Sequence, residues 1–258
     1  MQFTEISGKD NARIKRAVKL QKSARFRREE GCFVLEGLRT VEDAIENNVV
    51  LKELFFTADS YEKHRSDIEK FVRSAEFVAV ISNNVADNIT DTVTTQGIFA
   101  VALIPEQIQA VQYGKKYIAL ENLQDPSNLG AVARTAEALG IDGIILSLDS
   151  CDPYSPKSLR ASMGTLLRMP LIFTEDMAEF ISSSSLPSYA CVAHGQAELL
   201  NEVAFPEGAI CVIGNEANGL TEKTIAACSQ SITIPMKGRA ESLNAAAAAS
   251  IVMWEMVK

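Results

Sequence analysis

Three short polar segments, far apart in the chain, carry the side chains that could do chemistry. The last of them runs from Ile234 to Asn244, directly before five consecutive alanines. Gly238 allows close backbone approach, while Ser242 and Asn244 can hydrogen-bond the free amides of a helix's first turn. Such a loop can hold a ligand against backbone groups. Taken alone, however, the segment is better explained as a turn followed by a helix cap.

The first segment adds an amide and a guanidinium near the start of another helix. Residues 116–120 have the composition of a strand, and residues 122–127 form a polar loop that contains proline. A helix is expected from Asn128 to Gly140, where glycine favours termination. We place Asn128 at the cap of this helix. Arg134 follows it by less than two turns, so both side chains can face the loop.

The middle segment supplies a carboxylate. Residues 210–220 indicate a strand, a loop interrupted by glycine and a helix start, with Glu216 in the loop. In a parallel sheet the loops that follow the strands gather at one edge, where ligands bind. The sequence therefore predicts that Glu216, Arg134 and the polar side chains of the last segment meet at such an edge.

A sheet is needed to position these segments. The second half of the chain alternates apolar runs with helical patterns, which predicts a parallel α/β sheet covered on both faces. Further strands are expected at residues 143–148, 171–173, 189–193, 209–213 and 231–234, and a helix from Pro156 to Leu167.

The first half begins with a basic arm. Residues 1–30 contain nine basic and four acidic side chains, although the whole chain has a net charge of −8. Residues 11–28 have the pattern of an amphipathic helix, which can pack through its apolar face, contact phosphate through its basic face, or do both. The apolar face holds Ile14, Ala17, Val18 and Leu20. The acidic remainder suggests selective docking rather than general binding of polyanions.

A smaller α/β domain follows the arm. Its expected strands are residues 33–37, 51–56, 77–81 and 96–102, and its expected helices are residues 38–47 and 61–74. We divide the chain into a basic arm (1–30), this small domain (31–104), a linker (105–115) and the larger α/β domain (116–258).

Composition and missing motifs exclude several other classes. No apolar run approaches the roughly 20 residues of a membrane span, and no signal-peptide pattern begins the chain, so we expect a soluble cytoplasmic protein. Five cysteines without CxxC spacing and two histidines predict free thiols and no metal site. The glycine patterns of Rossmann nucleotide sites, P-loops and serine hydrolases are absent.

Taken together, the three segments resemble the motifs of the SpoU-type (TrmH-like) RNA ribose 2'-O-methyltransferases of the SPOUT superfamily. The matching pieces are Asn128 with Arg134, residues 214–216 with Gly219 and Leu220, and residues 234–236 with 242–244. Ala217 departs from the pattern, since many relatives have glycine there, and its methyl group could narrow the loop. The resemblance spans residues 116–258. It implies S-adenosylmethionine as cofactor, a homodimer and a deep trefoil knot formed by the C-terminal helix.

The resemblance also implies the residues of a site. The catalytic set is Asn128, Arg134, Glu216, Ser242 and Asn244, and the cofactor-binding set is Gly195, Ile213, Gly214, Ile234 and Leu243. The small domain resembles a ribosomal protein that recruits RNA substrate, with Arg39 as a contact or as an ordinary surface arginine. In the arm, Arg13, Lys15 and Arg16 are our candidates for RNA binding.

The family's arginine is regarded as catalytic, which raises the question of what Arg134 does. A guanidinium stays protonated in proteins, so we interpret Arg134 as a group that binds phosphate and stabilises the developing alkoxide. A phosphate oxygen or water would then accept the proton. The three polar residues Asn128, Ser242 and Asn244 would orient the ribose. Glu216 would order the site by bonding loop amides or Arg134.

Several functions stay open at this point. The leading one is methylation of structured RNA, with ribosomal RNA favoured over transfer RNA by the recruitment domain. A non-catalytic RNA-binding or ribosome-assembly factor on the same fold is the second, and an enzyme acting on a small molecule is the third. For the dimer, the exposed side of the last helix near Trp254 is a candidate surface, although a lone tryptophan fits a core equally well.

Overall fold

The computed structural model describes residues 3–258, so the first two residues of the predicted arm lie outside it. The chain forms two compact units. Unit 1 consists of the residues up to Glu106 together with Tyr154–Arg168, and unit 2 of Gln107–Pro153 with Met169–Lys258. The sequence-based domain boundaries stay a prediction, but the packing places a piece of the second half of the chain in unit 1.

Unit 1 is built on a mixed five-stranded sheet. Its elements up to residue 106 are β1 Thr4–Ile6, α1 Ala12–Lys22, α2 Ala24–Glu30, β2 Cys32–Glu36, α3 Leu38–Glu46, β3 Leu51–Thr57, α4 Ala58–Lys63, α5 Arg65–Val72, β4 Ala75–Ile81, α6 Asn83–Ile89 and β5 Ile98–Leu103. The strand order is β1-β4-β3-β5-β2. β4 runs parallel to β1 and β3, whereas β5 runs antiparallel to β3 and β2.

The basic arm is part of the core of unit 1. Ile14, Ala17 and Leu20 of α1 are fully buried, and Val18 packs against the same apolar cluster, so the predicted apolar face is confirmed. The prediction of one continuous helix is wrong, because the helix is interrupted at Ser23. The Ser23 hydroxyl accepts a hydrogen bond from the Phe26 amide and thereby starts α2 as its N-cap.

Unit 2 is built on a seven-stranded sheet. The elements from residue 116 onward are β6 Lys116–Leu120, α7 Pro126–Leu139, β7 Gly143–Ser147, α8 Pro156–Ser162, a 3-10 turn Thr165–Leu167, β8 Leu171–Thr174, α9 Met177–Ser183, β9 Ser188–Cys191, β10 Glu198–Leu199, a 3-10 turn Leu200–Glu202, β11 Ala209–Ile213, α10 Glu222–Ala227, β12 Gln230–Thr233 and α11 Ala245–Val257. Of these, α8 and the 3-10 turn that follows it belong to unit 1.

The sheet of unit 2 is parallel throughout, which confirms the predicted α/β class. Its strand order is β10-β12-β9-β11-β6-β7-β8. All five residues of β7 and of β11 are buried, so side chains on both faces of the central strands are covered. α9 packs beside α10, and α7 packs beside α11, which also contacts β6 and β11. The trefoil knot implied by the resemblance stays a prediction.

Residues 154–168 are held in unit 1 by aromatic and ionic contacts. The Tyr154 ring lies 5.1 Å from the ring of Phe33. Arg168 Nη1 donates to both carboxylate oxygens of Asp43 at 3.0 Å, and Arg160 Nη2 lies 2.9 Å from an Asp91 oxygen. A helix through Leu167 was predicted here, but α8 ends at Ser162. The residue that follows, Met163, adopts a left-handed conformation that a regular helix cannot contain.

A second predicted helix is also divided. Residues 61–74 were expected to form one charged helix, whereas α4 and α5 meet at His64, whose φ of −126° is not helical. Among residues 3–258, no helix is both long enough and apolar enough to cross a membrane.

Candidate active site

The first site element is the loop before α7, and its helix cap differs from the prediction. Asp125 is the N-cap, because its Oδ1 accepts a hydrogen bond from the Ser127 amide, and Pro126 occupies the first helical turn. Asn128 therefore lies inside the first turn rather than at the cap. It is 7% exposed, so its amide side chain is directed into the protein rather than into solvent.

Glu216 connects this loop to the loop after β11. Its carboxylate accepts hydrogen bonds from the Asn128 side-chain amide at 2.9 Å and from the backbone amides of Gln124 and Asp125, each at 3.2 Å. Glu216 thus bonds loop amides, which is one of the two arrangements expected for it, and its role in the site stays a prediction. No hydrogen bond joins Glu216 to Arg134 among residues 3–258.

Asn244 closes the cluster from the third segment. Its Oδ1 accepts hydrogen bonds from the amides of Ala246 and Ala247, so it caps α11. Its Nδ2 donates to Asn128 Oδ1 at 3.0 Å. A continuous chain Glu216–Asn128–Asn244 therefore joins three segments that are far apart in sequence, as the parallel-sheet argument predicted.

The other two predicted catalytic residues are exposed. Arg134 lies on the solvent side of α7, and Ser242 lies in the loop before α11. Neither side chain makes a hydrogen bond or ion pair within the described part of the chain. The site therefore combines a fixed amide–carboxylate framework with a guanidinium and a hydroxyl that are available to a ligand.

The environment of Glu216 favours its ionised form. Burial acts to raise its pKa, but the hydrogen bonds from Asn128 and the loop amides outweigh burial, so the pKa of Glu216 lies below its ordinary value of 4.5. At neutral pH the site consequently holds a carboxylate that only accepts hydrogen bonds.

The lowered pKa of Glu216 predicts an acid-dependent loss of stability. Ionised Glu216 contributes stability above the unfolded-state pKa, and that contribution is lost as the pH falls through the lower folded-state pKa. Glu216→Gln is therefore expected to lower the melting temperature at about pH 7, and the difference from wild type should shrink below about pH 4.5. Glu222→Gln on α10 is the matched control, since Glu222 is exposed and lacks a hydrogen-bond partner among residues 3–258. A pH-independent difference for Glu216→Gln would contradict the prediction.

A cavity of about 450 Å³ adjoins this framework. Of the predicted cofactor-binding residues, Ile213, Gly214, Ile234 and Leu243 line it, as do Glu216 and Ser242. Gly195 is not part of the wall, although its neighbour His194 is. The cavity wall therefore includes the middle segment through Glu216 and the last segment through Ser242, whereas the first segment reaches it only through the hydrogen bond from Asn128 to Glu216.

Gly214 is required by the backbone beneath this cavity. A Cβ atom at this position would overlap the Gly219 carbonyl group and the Leu220 nitrogen. The close approach exists because Asn215 and Gly219 exchange two backbone hydrogen bonds, of 3.0 and 2.9 Å. Gly214 is one of the predicted cofactor-binding residues, and this close backbone approach is a physical reason for glycine at that position.

Two supporting residues were missed from the sequence. Asn215 accepts hydrogen bonds from the amides of Ala217 and Asn218 and donates to the Asn122 carbonyl, which fixes the loop that carries Glu216. Glu121 is 8% exposed and accepts hydrogen bonds from Thr221 and Thr224 at the start of α10. The signal for Asn215 was its place beside Gly214, because asparagine commonly bonds backbone amides in turns.

The predicted RNA-binding residues fall into two groups. Arg13 forms a 2.6 Å ion pair with buried Glu53 and lies over the Phe77 ring, and Arg16 pairs with Glu30 and Glu53. Lys15 pairs with exposed Asp10. Arg39, in contrast, is exposed on α3 and lacks a hydrogen bond or ion pair among residues 3–258.

The cysteines and histidines show no arrangement for metal binding. Within residues 3–258, no group of three or more histidine, cysteine or acidic side chains could hold a metal ion. Burial raises the pKa of Cys191 and Cys228 to about 11, and burial together with nearby carboxylates raises that of Cys151 to about 12. These thiols are therefore protonated at neutral pH and poorly nucleophilic.

Comparison with known families decides what kind of protein carries this site. The model of the SpoU rRNA methylase family matches residues 115–254, more than half of the chain. The chain belongs to this family. All five predicted catalytic residues lie within the SpoU match, and the family inferred from the three motifs is confirmed. A second model, the MRM3-like substrate binding domain, matches residues 11–100.

Individual members of the SpoU family match nearly the whole length of this chain. The 23S rRNA (guanosine(2553)-2'-O)-methyltransferase RlmP of Bacillus subtilis is 26% identical over 254 residues, covering 98% of this chain and 98% of that protein. The 23S rRNA (uridine(2479)-2'-O)-methyltransferase of Streptomyces viridochromogenes is 25% identical over 260 residues, covering 96% and 90%. The crystal structure of an AdoMet-bound rRNA methyltransferase from Sinorhizobium meliloti has a TM-score of 0.85 at 27% identity, covering 99% and 98%.

Proposed function

We propose that this protein transfers a methyl group from S-adenosylmethionine to a ribose 2'-hydroxyl of ribosomal RNA. The observation that carries the proposal is the Glu216–Asn128–Asn244 framework beside the cavity, with an Arg134 side chain on the same helix as Asn128 that has no partner among residues 3–258. Two relatives that span nearly the whole chain are named as 23S rRNA 2'-O-methyltransferases, which supports ribosomal over transfer RNA.

The cavity fits the proposed cofactor in size and chemistry. Its volume of about 450 Å³ lies in the range of roughly 300–1,000 Å³ that small-molecule sites occupy. Its wall combines apolar side chains such as Ile213 and Leu243 with the backbone of Gly214 and two carboxylates. When bound, S-adenosylmethionine supplies an electrophilic methyl group on a positively charged sulfur.

The hydrogen bonds of the framework divide the catalytic roles. The Asn128 side chain bonds Glu216 and Asn244, and the Asn244 side chain also accepts a hydrogen bond from the first turn of α11. Because both side chains are already engaged, a positioning role is favoured for each. The exposed hydroxyl of Ser242 is left to orient the ribose. Arg134 binds a phosphate of the target and stabilises the charge that develops on the 2'-oxygen, while a phosphate oxygen or water accepts the proton.

The proposed activity is tested by methyl transfer to RNA. The full chain is incubated with isotopically labelled S-adenosylmethionine and with ribosomal or transfer RNA from a strain that lacks the modification, and the labelled nucleotide is mapped. We expect label on a ribose of ribosomal RNA. Label in transfer RNA alone would support the alternative substrate. Cofactor binding without label in either RNA would favour a non-catalytic RNA-binding or ribosome-assembly factor.

We propose further that unit 1 recruits the RNA and that Arg39 contributes more to this than Arg13 and Arg16 of the arm. Arg13 and Arg16 neutralise buried Glu53, so their charges are already used within unit 1. The charge of Arg39 is available to phosphate. Ribosomal RNA as substrate also favours a cytoplasmic location, which stays a prediction.

Two arginine substitutions separate recruitment from packing. Arg39→Ala is expected to raise the KM for RNA about fivefold without changing the melting temperature, because it removes one phosphate contact. Arg13→Ala should lower stability by about 2 kcal/mol, because it leaves the buried Glu53 carboxylate poorly compensated. Steady-state kinetics and thermal unfolding measure the two effects. An unchanged KM for Arg39→Ala would remove Arg39 from the RNA contact.

We propose that the protein is a homodimer that uses the outer side of α11. Trp254 is 58% exposed and Ile251 is 40% exposed, so adjacent turns of α11 present apolar side chains to solvent. We expect sedimentation at twice the chain mass of 28.0 kDa and a shift to a folded monomer for Trp254→Asp, with the far-UV circular dichroism spectrum retained. A monomeric wild-type protein at working concentration would end this proposal.

A further inference from the structure

The side chains that carry a formal charge in the cavity wall are all acidic. Glu216 and Glu241 line it, together with His194, whereas none of the lysines and arginines of residues 3–258 does. Lys237 and Arg239 precede Glu241 in the same loop but are not part of the wall. The cavity therefore presents an electrostatic environment that favours a cation.

The two carboxylates differ in how they are used. Glu216 accepts three hydrogen bonds from Asn128 and the loop before α7, which spread its charge over fixed donors. Glu241 is exposed and makes no hydrogen bond or ion pair in the part of the chain that the structure describes. Glu241 is consequently the carboxylate in the wall whose charge is available to a ligand.

The reaction changes the charge of the ligand in this cavity by one unit. Breaking the sulfur–methyl bond and forming the oxygen–methyl bond converts the positively charged sulfonium into a neutral thioether, while the hydroxyl proton leaves to the acceptor. The amino-acid part of the ligand, with its ammonium and carboxylate, is the same before and after transfer. The sulfur atom is thus the position at which a carboxylate can distinguish cofactor from product.

We propose that Glu241 selects S-adenosylmethionine over S-adenosylhomocysteine by attracting the sulfonium charge. This inference rests on the proposed function, because it requires the cofactor to occupy this cavity. It gives Glu241 the role of a specificity residue: it favours binding of the charged cofactor and weakens retention of the neutral product. An interaction between partly exposed charges is also expected to weaken with salt.

Calorimetric titration of the 258-residue chain with each of the two ligands tests the inference without any turnover. For Glu241→Gln we expect the Kd for S-adenosylmethionine to rise roughly three- to fivefold, and the Kd for S-adenosylhomocysteine to change by less than about twofold. Glu241→Asp should retain most of the wild-type preference, because it keeps the charge. Raising the ionic strength should reduce the wild-type preference and leave that of Glu241→Gln unchanged.

The controls separate a charge effect from a folding effect. Glu222→Gln removes the same charge from α10, outside the cavity wall, and should leave both Kd values unchanged. Retained binding of the thioether shows that the Glu241→Gln cavity is intact. Equal weakening of both ligands, or no weakening of either, would overturn the inference while leaving the proposed function in place. Failure of the wild-type protein to bind either ligand would overturn both.

Discussion

Replacing Arg134 by alanine is expected to reduce methyl transfer by about 10²- to 10³-fold, because the developing charge on the ribose oxygen loses its stabilising cation. Arg134 is exposed on α7 and has no partner among residues 3–258, so its removal leaves no buried group uncompensated. Folding and cofactor affinity should therefore be unaffected. Single-turnover transfer and calorimetric cofactor binding, measured on the same variant, check the two parts of this expectation.

Arg73→Ala provides the control for Arg134. Arg73 is also an exposed arginine without a partner in the described residues, but it lies at the end of α5 in unit 1. Its replacement should leave single-turnover transfer within about twofold of wild type. Unchanged transfer by Arg134→Ala would refute the catalytic role of Arg134. Equal losses of transfer and cofactor affinity would assign Arg134 to the cofactor instead.

Gly214→Ala should damage cofactor binding and stability together. The added methyl group would overlap backbone atoms of Gly219 and Leu220, which cannot move aside as the end of a flexible side chain could. Relieving this overlap requires breaking the backbone hydrogen bonds between Asn215 and Gly219, which should lower the free energy of unfolding by about 3 kcal/mol. Movement of the cavity wall should weaken S-adenosylmethionine by roughly tenfold or more. Denaturant unfolding and calorimetry measure the two effects.

Gly238→Ala is the matched control, because it adds the same methyl group in the loop before α11. At Gly238 a Cβ atom would have no neighbour within 4 Å among residues 3–258, and the backbone of Gly238 is not left-handed. We expect unchanged or slightly increased stability and an unchanged cofactor Kd. If Gly214→Ala behaved like Gly238→Ala, the tight loop could not be what shapes the cavity.

The residue types of the site and the parallel sheet beneath it could be predicted, whereas the strand order and the pairing of the side chains could not. The rule that loops follow parallel strands at one edge was enough to bring Glu216 and Asn128 together. The hydrogen bond between Asn128 and Asn244 depends on tertiary packing across 116 positions, which no local pattern encodes. The cap of α7 was predictable, because Asp125 followed by proline is a stronger helix start than Asn128.

In unit 1 the predicted strands and helices are present, but β1 and α6 were not predicted, and neither were the breaks within two of the helices. Ser23 is a good N-cap residue, so the division of the arm into α1 and α2 had a local signal that the amphipathic pattern concealed. The break at His64 has no side-chain cap and therefore no comparable signal. The pairing of Arg13 with Glu53 was unpredictable because it requires knowing that a strand glutamate is buried 40 positions away.

The placement of residues 154–168 bears on how the chain completes folding during synthesis. Tyr154 and Arg168 belong to unit 1, although 47 residues of unit 2, Gln107–Pro153, are made before them. N-terminal domains usually fold first as a chain emerges, but here the partners of Phe33 and Asp43 arrive only when about two thirds of the chain exist. In nascent chains that stop before residue 154, we expect unit 1 to remain incompletely folded. A separately expressed second half of the chain would contain residues 154–168 but would lack the surface of unit 1 that buries them.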